Sequence, residues 1–383
     1  MIGKPFNKNF KKAFSLIELS IVVLIIGILI AGITSGSRLV RNSKLASAAQ
    51  FTKSSDVNSI PDLVLWLEPT MPNSFAIDPA SSTGSLEALP GSNYNKLTDK
   101  NNANYIKDTD YPSDLDYISR WNDINPRATS KKSVVQDYNS NRPRYVANAI
   151  NGLPALRFNI ETGSLVNGPL TFLYSRSDHI TTPQVTPLLK GDDSFTYIAV
   201  FRTSPLVLSN IGNGHMAILD QSNGNENSIT SSQNLQTAMT DSGYSTIRQL
   251  NIHQWGVDES IISASVNRTL EVDKPTIGIV GLEDSIKSTN NNYLNCVLNL
   301  SGSNCKYGTL NTAHASINVD DKQFTIGTMG LKETYYRLGD YAYPGYIAEV
   351  MVFDRLISKE EINIISRYLS KKWGISYKPI SYL

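Results

Sequence analysis

Glu18 stands where an acid is expensive. It lies inside the apolar block KKAFSLIELSIVVLIIGILIAGI, residues 11–33. An unpaired carboxylate at mid-helix in lipid costs ~2.5 kcal/mol or more, so this position calls for a cationic partner. The other residues that could do chemistry are dispersed. Glu283 and Asp284 are adjacent, which along a strand points them to opposite faces, and no Glu-x-Asp-x-x-Glu run occurs. His179, His215, His253 and His314 fall in separate polar segments without zinc spacing. Neither a Gly-x-Ser-x-Gly elbow nor a phosphate loop is present. On these grounds the chain is expected not to be an enzyme and to need no cofactor, with calcium as the one candidate ion. Calcium takes oxygen ligands from loops, and Asp192, Asp193, Asp320 and Asp321, with the Asp123–Asn125 pair, could supply them. Each of these residues serves equally as a turn or capping residue. Cys296 and Cys305, nine residues apart, would close a loop worth ~2–3 kcal/mol in an oxidising compartment. An unpaired, inert pair is the alternative.

The elements around these residues follow from patterning. Residues 19–37 carry no charge, and the nearly all-aliphatic stretch from Leu19 to Ile33, extended back to Phe14, gives roughly 20 residues or about 30 Å of helix, the thickness of a bilayer's hydrocarbon. An ordinary signal peptide has a shorter apolar region. Residues 35–55 continue as a polar helix with a weak apolar stripe at Leu39, Leu45, Ala48 and Ala49, and Pro61 stands beyond its end. Lysines precede the apolar block and Arg38, Arg41 and Lys44 follow it, so charge alone leaves orientation tied. Beyond residue 61 the chain is rich in Asn, Ser, Thr, Gly and Tyr and reads as β. The net charge of +1 argues against a nucleic-acid partner. One helix closes the chain over 357–375, with Ser358 and Glu361 as a capping box and Ile362, Ile365, Leu369 and Trp373 as its apolar face.

The N-terminal block resembles the processing motif of type IV prepilins and type II secretion pseudopilins. In that family a basic leader ends in Gly or Ala, Phe follows, and Glu is the fifth mature residue. The resemblance implies a leader over 1–13, cleavage between Ala13 and Phe14 by a prepilin peptidase, and methylation of the new amine. It also gives Glu18 a role, since that carboxylate would pair with the terminal amine of a neighbouring subunit, and a buried charge is tolerable when partnered. Ala13 stands where Gly is commoner, and Ser35 stands near where mature pilins often carry proline.

A second resemblance spans roughly residues 60–378. LVLWLEP, SRWND, RPRY, NGLPALRF, FTYIAVFR and IAEVMVFDRLISKEEINIISRYLSKKWGI are similar to motifs of the concanavalin A-like lectin/glucanase jelly roll, especially its LamG-type branch. It implies a mainly β two-sheet sandwich over 56–383, with polar insertions, a short C-terminal helix, and a transmembrane and spine helix over 14–55 ahead of it. Trp66, Trp121 and Trp373 fall in those motifs and are expected in the core. Trp255 lies outside them and is the candidate for stacking on a glycan.

The expected function is therefore that of a minor type IV pilin displaying a lectin-like head for adhesion. Its partners would be the peptidase, other pilin or pseudopilin subunits, the membrane, and a carbohydrate or surface protein. The chain would sit in the bacterial inner membrane before assembly, with its head in the periplasm or on the cell surface. Rival readings are a type II secretion pseudopilin that contacts exported proteins and a surface-tethered glycoside hydrolase.

Overall fold

The structure is a computed structural model. It describes residues 16–77, 111–129, 131–136, 141–160, 170–175, 188–189, 194–205, 215–222, 236–242, 248–256, 259–260, 268–283, 291–299, 302–310, 323–328 and 342–379. The chain divides into two compact units, Met1–Ser47 and Ala48–Leu383.

Helix α1, Leu16–Lys53, makes up the described part of the first unit and ends in the second. Its first half is apolar on every side, and Leu16, Val23, Ile28 and Ile33 are each more than half exposed. Such a helix is built to be surrounded by apolar material. Among the described residues no helix is long and apolar enough to cross a membrane. The side chains at 18, 34, 35, 37 and 38 lie outside the description. The spanning helix expected over 14–55 is therefore not established among the described residues.

The second unit is mainly β. After α1, the Ser55 hydroxyl accepts the Val57 N–H at 3.1 Å and caps a 3-10 turn over Asp56–Ser59. The strands then run β1 Leu63–Leu67, β2 Phe75–Ile77, β3 Ile118–Trp121, β4 Val134–Val135, β5 Arg144–Ile150 and β6 Leu153–Phe158. They continue as β7 Leu173–Ser175, β8 Phe195–Thr203, β9 His215–Ser222, β10 Gln236–Ser242, β11 Arg248–Gly256 and β12 Glu259–Ser260. The last are β13 Arg268–Leu270, β14 Thr276–Leu282, β15 Asn291–Asn299, β16 Gly302–Leu310, β17 Gln323–Ile326 and β18 Gly345–Phe353, followed by helix α2, Lys359–Trp373.

Two antiparallel sheets result. The first has the order β16-β15-β14-β8-β18-β6-β5, with β1 also on β18, and the second β12-β11-β10-β9-β17-β7-β4-β3-β2, with β13 on β11. Central strands of the first sheet are apolar almost without alternation, because both faces are covered. On β8, Phe195, Tyr197, Ala199 and Phe201 face a core shared with Leu219 of β9 and Phe324 of β17. Ile198 and Val200 point the other way, into a second core with Ile365, Leu369 and Trp373 of α2. β18 follows the same rule with one correction. A bulge between Ile347 and Glu349 breaks its register with β8, so Ala348 belongs to the helix-side core and Val350 and Val352 to the inter-sheet core.

Glycine matters most at the end of β17. Gly327 has φ +88°, and a Cβ there would stand 2.5 Å from Phe158 Cδ1. Its N–H donates to Ile218 O at 3.0 Å, and its carbonyl accepts the N–H of Tyr343 at 3.0 Å. Gly327→Ala should lower the unfolding free energy of the second unit by about 2 kcal/mol through strain and overpacking. Denaturant unfolding of the purified chain measures this, and an unchanged midpoint would mean that Phe158 and the backbone move aside freely.

Candidate functional site

The densest polar chemistry lies in the helix-side core. α2 enters it correctly because both its ends are fixed. The Ser358 hydroxyl accepts the Glu361 N–H at 3.3 Å, and Glu361 Oε2 accepts the Ser358 N–H at 2.8 Å. Arg355 grips the same carboxylate with two bonds of 2.8 and 2.6 Å. Those Arg355 bonds are the main reason the Glu361 carboxyl falls below its ordinary value of 4.5. At the far end Gly374 adopts φ 62° and its N–H donates to Ser370 O.

Between these caps the apolar stripe of α2 contains one cation, Lys372. Its ammonium reaches Glu68 Oε2 at 2.9 Å, Glu349 Oε2 at 2.9 Å, Thr52 Oγ1 at 2.8 Å and Tyr368 Oη at 3.1 Å. Glu349 also accepts Trp66 Nε1–H and Trp373 Nε1–H, each at 2.8 Å, and the Tyr368 hydroxyl at 2.7 Å. Glu68 accepts the Thr70 N–H at 2.9 Å, the Met71 N–H at 2.8 Å and the hydroxyls of Thr70 and Ser74. The Lys372, Glu68 and Glu349 side chains are sealed from solvent.

Burial works against each charge, and the partners win. Desolvation would raise the Glu68 carboxyl, but the Lys372 charge and the Thr70 donors hold it below 4.5. Desolvation would lower the Lys372 ammonium, yet Glu349 and Glu68 keep it above 10.5. Burial, reinforced by the same two carboxylates, pushes the Tyr368 phenol well above 10. No external substrate reaches these atoms, so the cluster acts as a clamp. It joins residues 48–53 of α1, the end of β1, the middle of β18 and the last turns of α2.

Asp123 forms a second pin. Its carboxylate accepts the N–H groups of Trp66 at 3.0 Å, Asn125 at 2.9 Å and Lys132 at 3.3 Å. Burial still raises its pKa above the ordinary 3.8. Asn125 Nδ2 donates to Leu63 O at 2.5 Å. Both residues therefore hold a loop against β1. Among the described residues no group of three His, Cys, Asp or Glu could hold a metal ion.

The expected site residues are scattered. Ala13, Phe14, Asp192, Asp193, Asp320 and Asp321 lie outside the described residues, as do His179 and His314. Glu18 is on α1 and Trp255 on β11, but their side chains are not described. Cys296 and Cys305 face each other across β15 and β16 and are disulfide-bonded. Trp66, Trp121 and Trp373 are all buried. Glu68, Glu349 and Lys372 went unread as a site, although a Glu inside IAEVMVF and a Lys on an apolar helix stripe were visible anomalies.

Residues 8–34 match the family described as the prokaryotic N-terminal methylation motif. No curated protein sequence matches the chain. Among solved structures, a GH54 α-L-arabinofuranosidase soaked with a cyclic sulfate inhibitor shares 13% identity at a TM-score of 0.44, covering 83% of this chain and 65% of its own. An arabinofuranosidase complexed with arabinofuranosyl-alpha-1,2-xylobiose gives 12%, 0.45, 83% and 64%. A Trypanosoma rangeli sialidase in complex with 2,3-difluorosialic acid gives 11%, 0.33, 78% and 37%. The chain thus spans less than two thirds of the length of these proteins. Likeness at this level carries no activity across, and it does not identify the double sheet as concanavalin-like. It does correct one expectation. The relatives in shape are glycosidases, so the reading of the chain as a non-enzyme does not stand.

The clamp has a testable pH signature. A carboxyl depressed below 4.5 contributes stability above that pH and loses it as pH falls through the folded value. An ammonium raised above 10.5 contributes below that pH and loses it as pH rises through the folded value. The Tyr368 phenol, raised above 10, loses its contribution once pH passes its unfolded value, so stability from the clamp should be full between about pH 4.5 and 10 and fall on both sides. Lys372→Met leaves two carboxylates facing each other and should cost about 3–5 kcal/mol at pH 7. Thermal melts across pH check both, and a Lys372→Met chain with the wild-type midpoint would remove the clamp from the account.

Proposed function

We propose that the chain is a subunit of the type IV pilin and pseudopilin kind, carrying its β-sheet unit as a displayed head. The observation that carries this reading is the methylation motif over residues 8–34, running into a helix whose aliphatic side chains are exposed all round. A basic leader over 1–13 is removed between Ala13 and Phe14, and the new α-amine is methylated and stays cationic. Glu18, four residues on, meets the terminal amine of a neighbouring subunit, which makes its burial tolerable. The apolar half of α1 rests in the inner membrane before assembly and then packs among sister helices. The adjoining residues 48–53 are built into the head through Thr52, Tyr368 and Lys372. The head stands outside that membrane and meets a carbohydrate or a surface protein.

Intact mass of the membrane-extracted chain tests the reading. The expected product starts at an N-methylated Phe14, and Glu18→Ala should leave cleavage intact while reducing incorporation into filaments. A chain that keeps residues 1–13 would end the filament reading and leave an anchored head.

A further inference from the structure

From Leu19 to Lys53 helix α1 holds no acidic residue, and its cations, Arg38, Arg41, Lys44 and Lys53, all lie past the apolar half. Counted from Ile33, Arg38 stands about 8 Å further along the helix, Arg41 about 12 Å and Lys44 about 17 Å. The polar layer on either side of a bilayer's hydrocarbon is about 5–8 Å deep. Side chains on a helix lean toward its N-terminus, which here is the side of the apolar half. The long stems at 41 and 44 therefore carry their charges back toward that layer.

The segment is more than a polar spacer. Leu39 and Val40 are each more than half exposed. Val40, Arg41 and Lys44 fall on one face of the helix, since residues three and four apart are neighbours there. Lys44 is exposed and Arg41 half-buried. Among the described residues neither cation forms a salt bridge, and Arg41 Nε is shielded from solvent with no hydrogen-bond partner. Exposed aliphatic side chains beside uncompensated cations make an interfacial segment. The aliphatic ones enter the acyl boundary and the cations meet anionic headgroups.

We propose that residues 38–44 bind the headgroups of anionic phospholipids, in the leaflet reached by the C-terminal end of the apolar run. Arg41 and Lys44 take the lipid phosphates with charge-assisted hydrogen bonds, and Leu39 and Val40 rest among the upper acyl carbons. The inference rests on the reading of α1 as the membrane helix of a processed subunit. Removal of residues 1–13 takes away Lys4, Lys8, Lys11 and Lys12, which leaves side-chain cations beside only one end of the apolar run. Lipid phosphates at that end supply the missing counter-charge. A sister helix is a poorer occupant, because an identical segment brings the same cations and no acid.

The test uses the full chain with Ser43→Cys carrying a bimane, reconstituted into phosphatidylcholine vesicles. Cys296 and Cys305 are bonded to each other, so the label goes to position 43. Brominated phosphatidylglycerol should quench the bimane at least threefold more effectively than brominated phosphatidylcholine at the same mole fraction. That preference should shrink as salt rises. Arg41→Gln with Lys44→Gln should bring the ratio near one, whereas Arg41→Lys alone should keep most of it, since phosphate accepts either cation. Equal quenching by the two lipids in the parent chain, or an unchanged ratio in the double variant, overturns the proposal and leaves the anchor standing. Equal quenching with disulfide cross-linking of unlabelled Ser43→Cys chains would give the face to sister subunits instead. No quenching by either lipid would take the membrane-helix reading down as well.

Discussion

One ammonium and two carboxylates, shut away from water, set the terms for the helix-side core. Lys372 bridges Glu68 and Glu349, and the segments bearing them are far apart in sequence. Removing such charges from water costs several kcal/mol for each ion, and the cost is recovered only when the partners are in place together. β1 must bring Trp66, β18 must bring Glu349, α2 must bring Tyr368, Lys372 and Trp373, and the end of α1 must bring Thr52. A partly assembled version is worse than none, because it leaves a charge buried without its donors. That makes the arrangement a test of correct assembly as well as a source of stability. The β18 bulge belongs to the same constraint. By putting Ala348 and Glu349 on the same side, it aims the carboxylate toward α2 while the following valines fill the other core.

The location of the clamp decides how residues 48–53 are held. The chain passes from residues 48–53 into the Ser55 cap and then into β1, which pairs with the central strand β18. Thr52 and Lys372 add a side-chain path that leaves the helix at the same level. Residues 48–53 are therefore held to the sheets through a packed, hydrogen-bonded core.

How much of this could be read from the sequence depends on whether the signal was local. The capping box at Ser358 and Glu361 was legible because its residues are three apart, and the strands at 63–67, 195–203, 276–282 and 345–353 because apolar runs are contiguous. The three core tryptophans were legible for the same reason. The clamp was not, since its members interrupt apolar patterns singly and only tertiary pairing gives the interruptions a common cause. A row of side chains across four strands of the first sheet was less legible still. Arg144, Arg157, Tyr346 and Arg202 become neighbours only through three strand registers, and the bulge in β18 shifts the parity of everything beyond it. Reading such a row requires knowing strand order, which no periodicity carries.

The clamp and the row share one sheet face and differ in exposure. At the level of Glu349, every charge is neutralised by a partner whose bond is given by the fold, and solvent is excluded. Two residues on along the same strands, Arg144, Arg157, Tyr346 and Arg202 are half-buried, and Arg144 and Arg202 stack on the rings of Tyr117 and Tyr346. The face therefore passes from charges sealed among fixed partners to half-buried, ring-stacked ones, and the change happens within the length of one pleat.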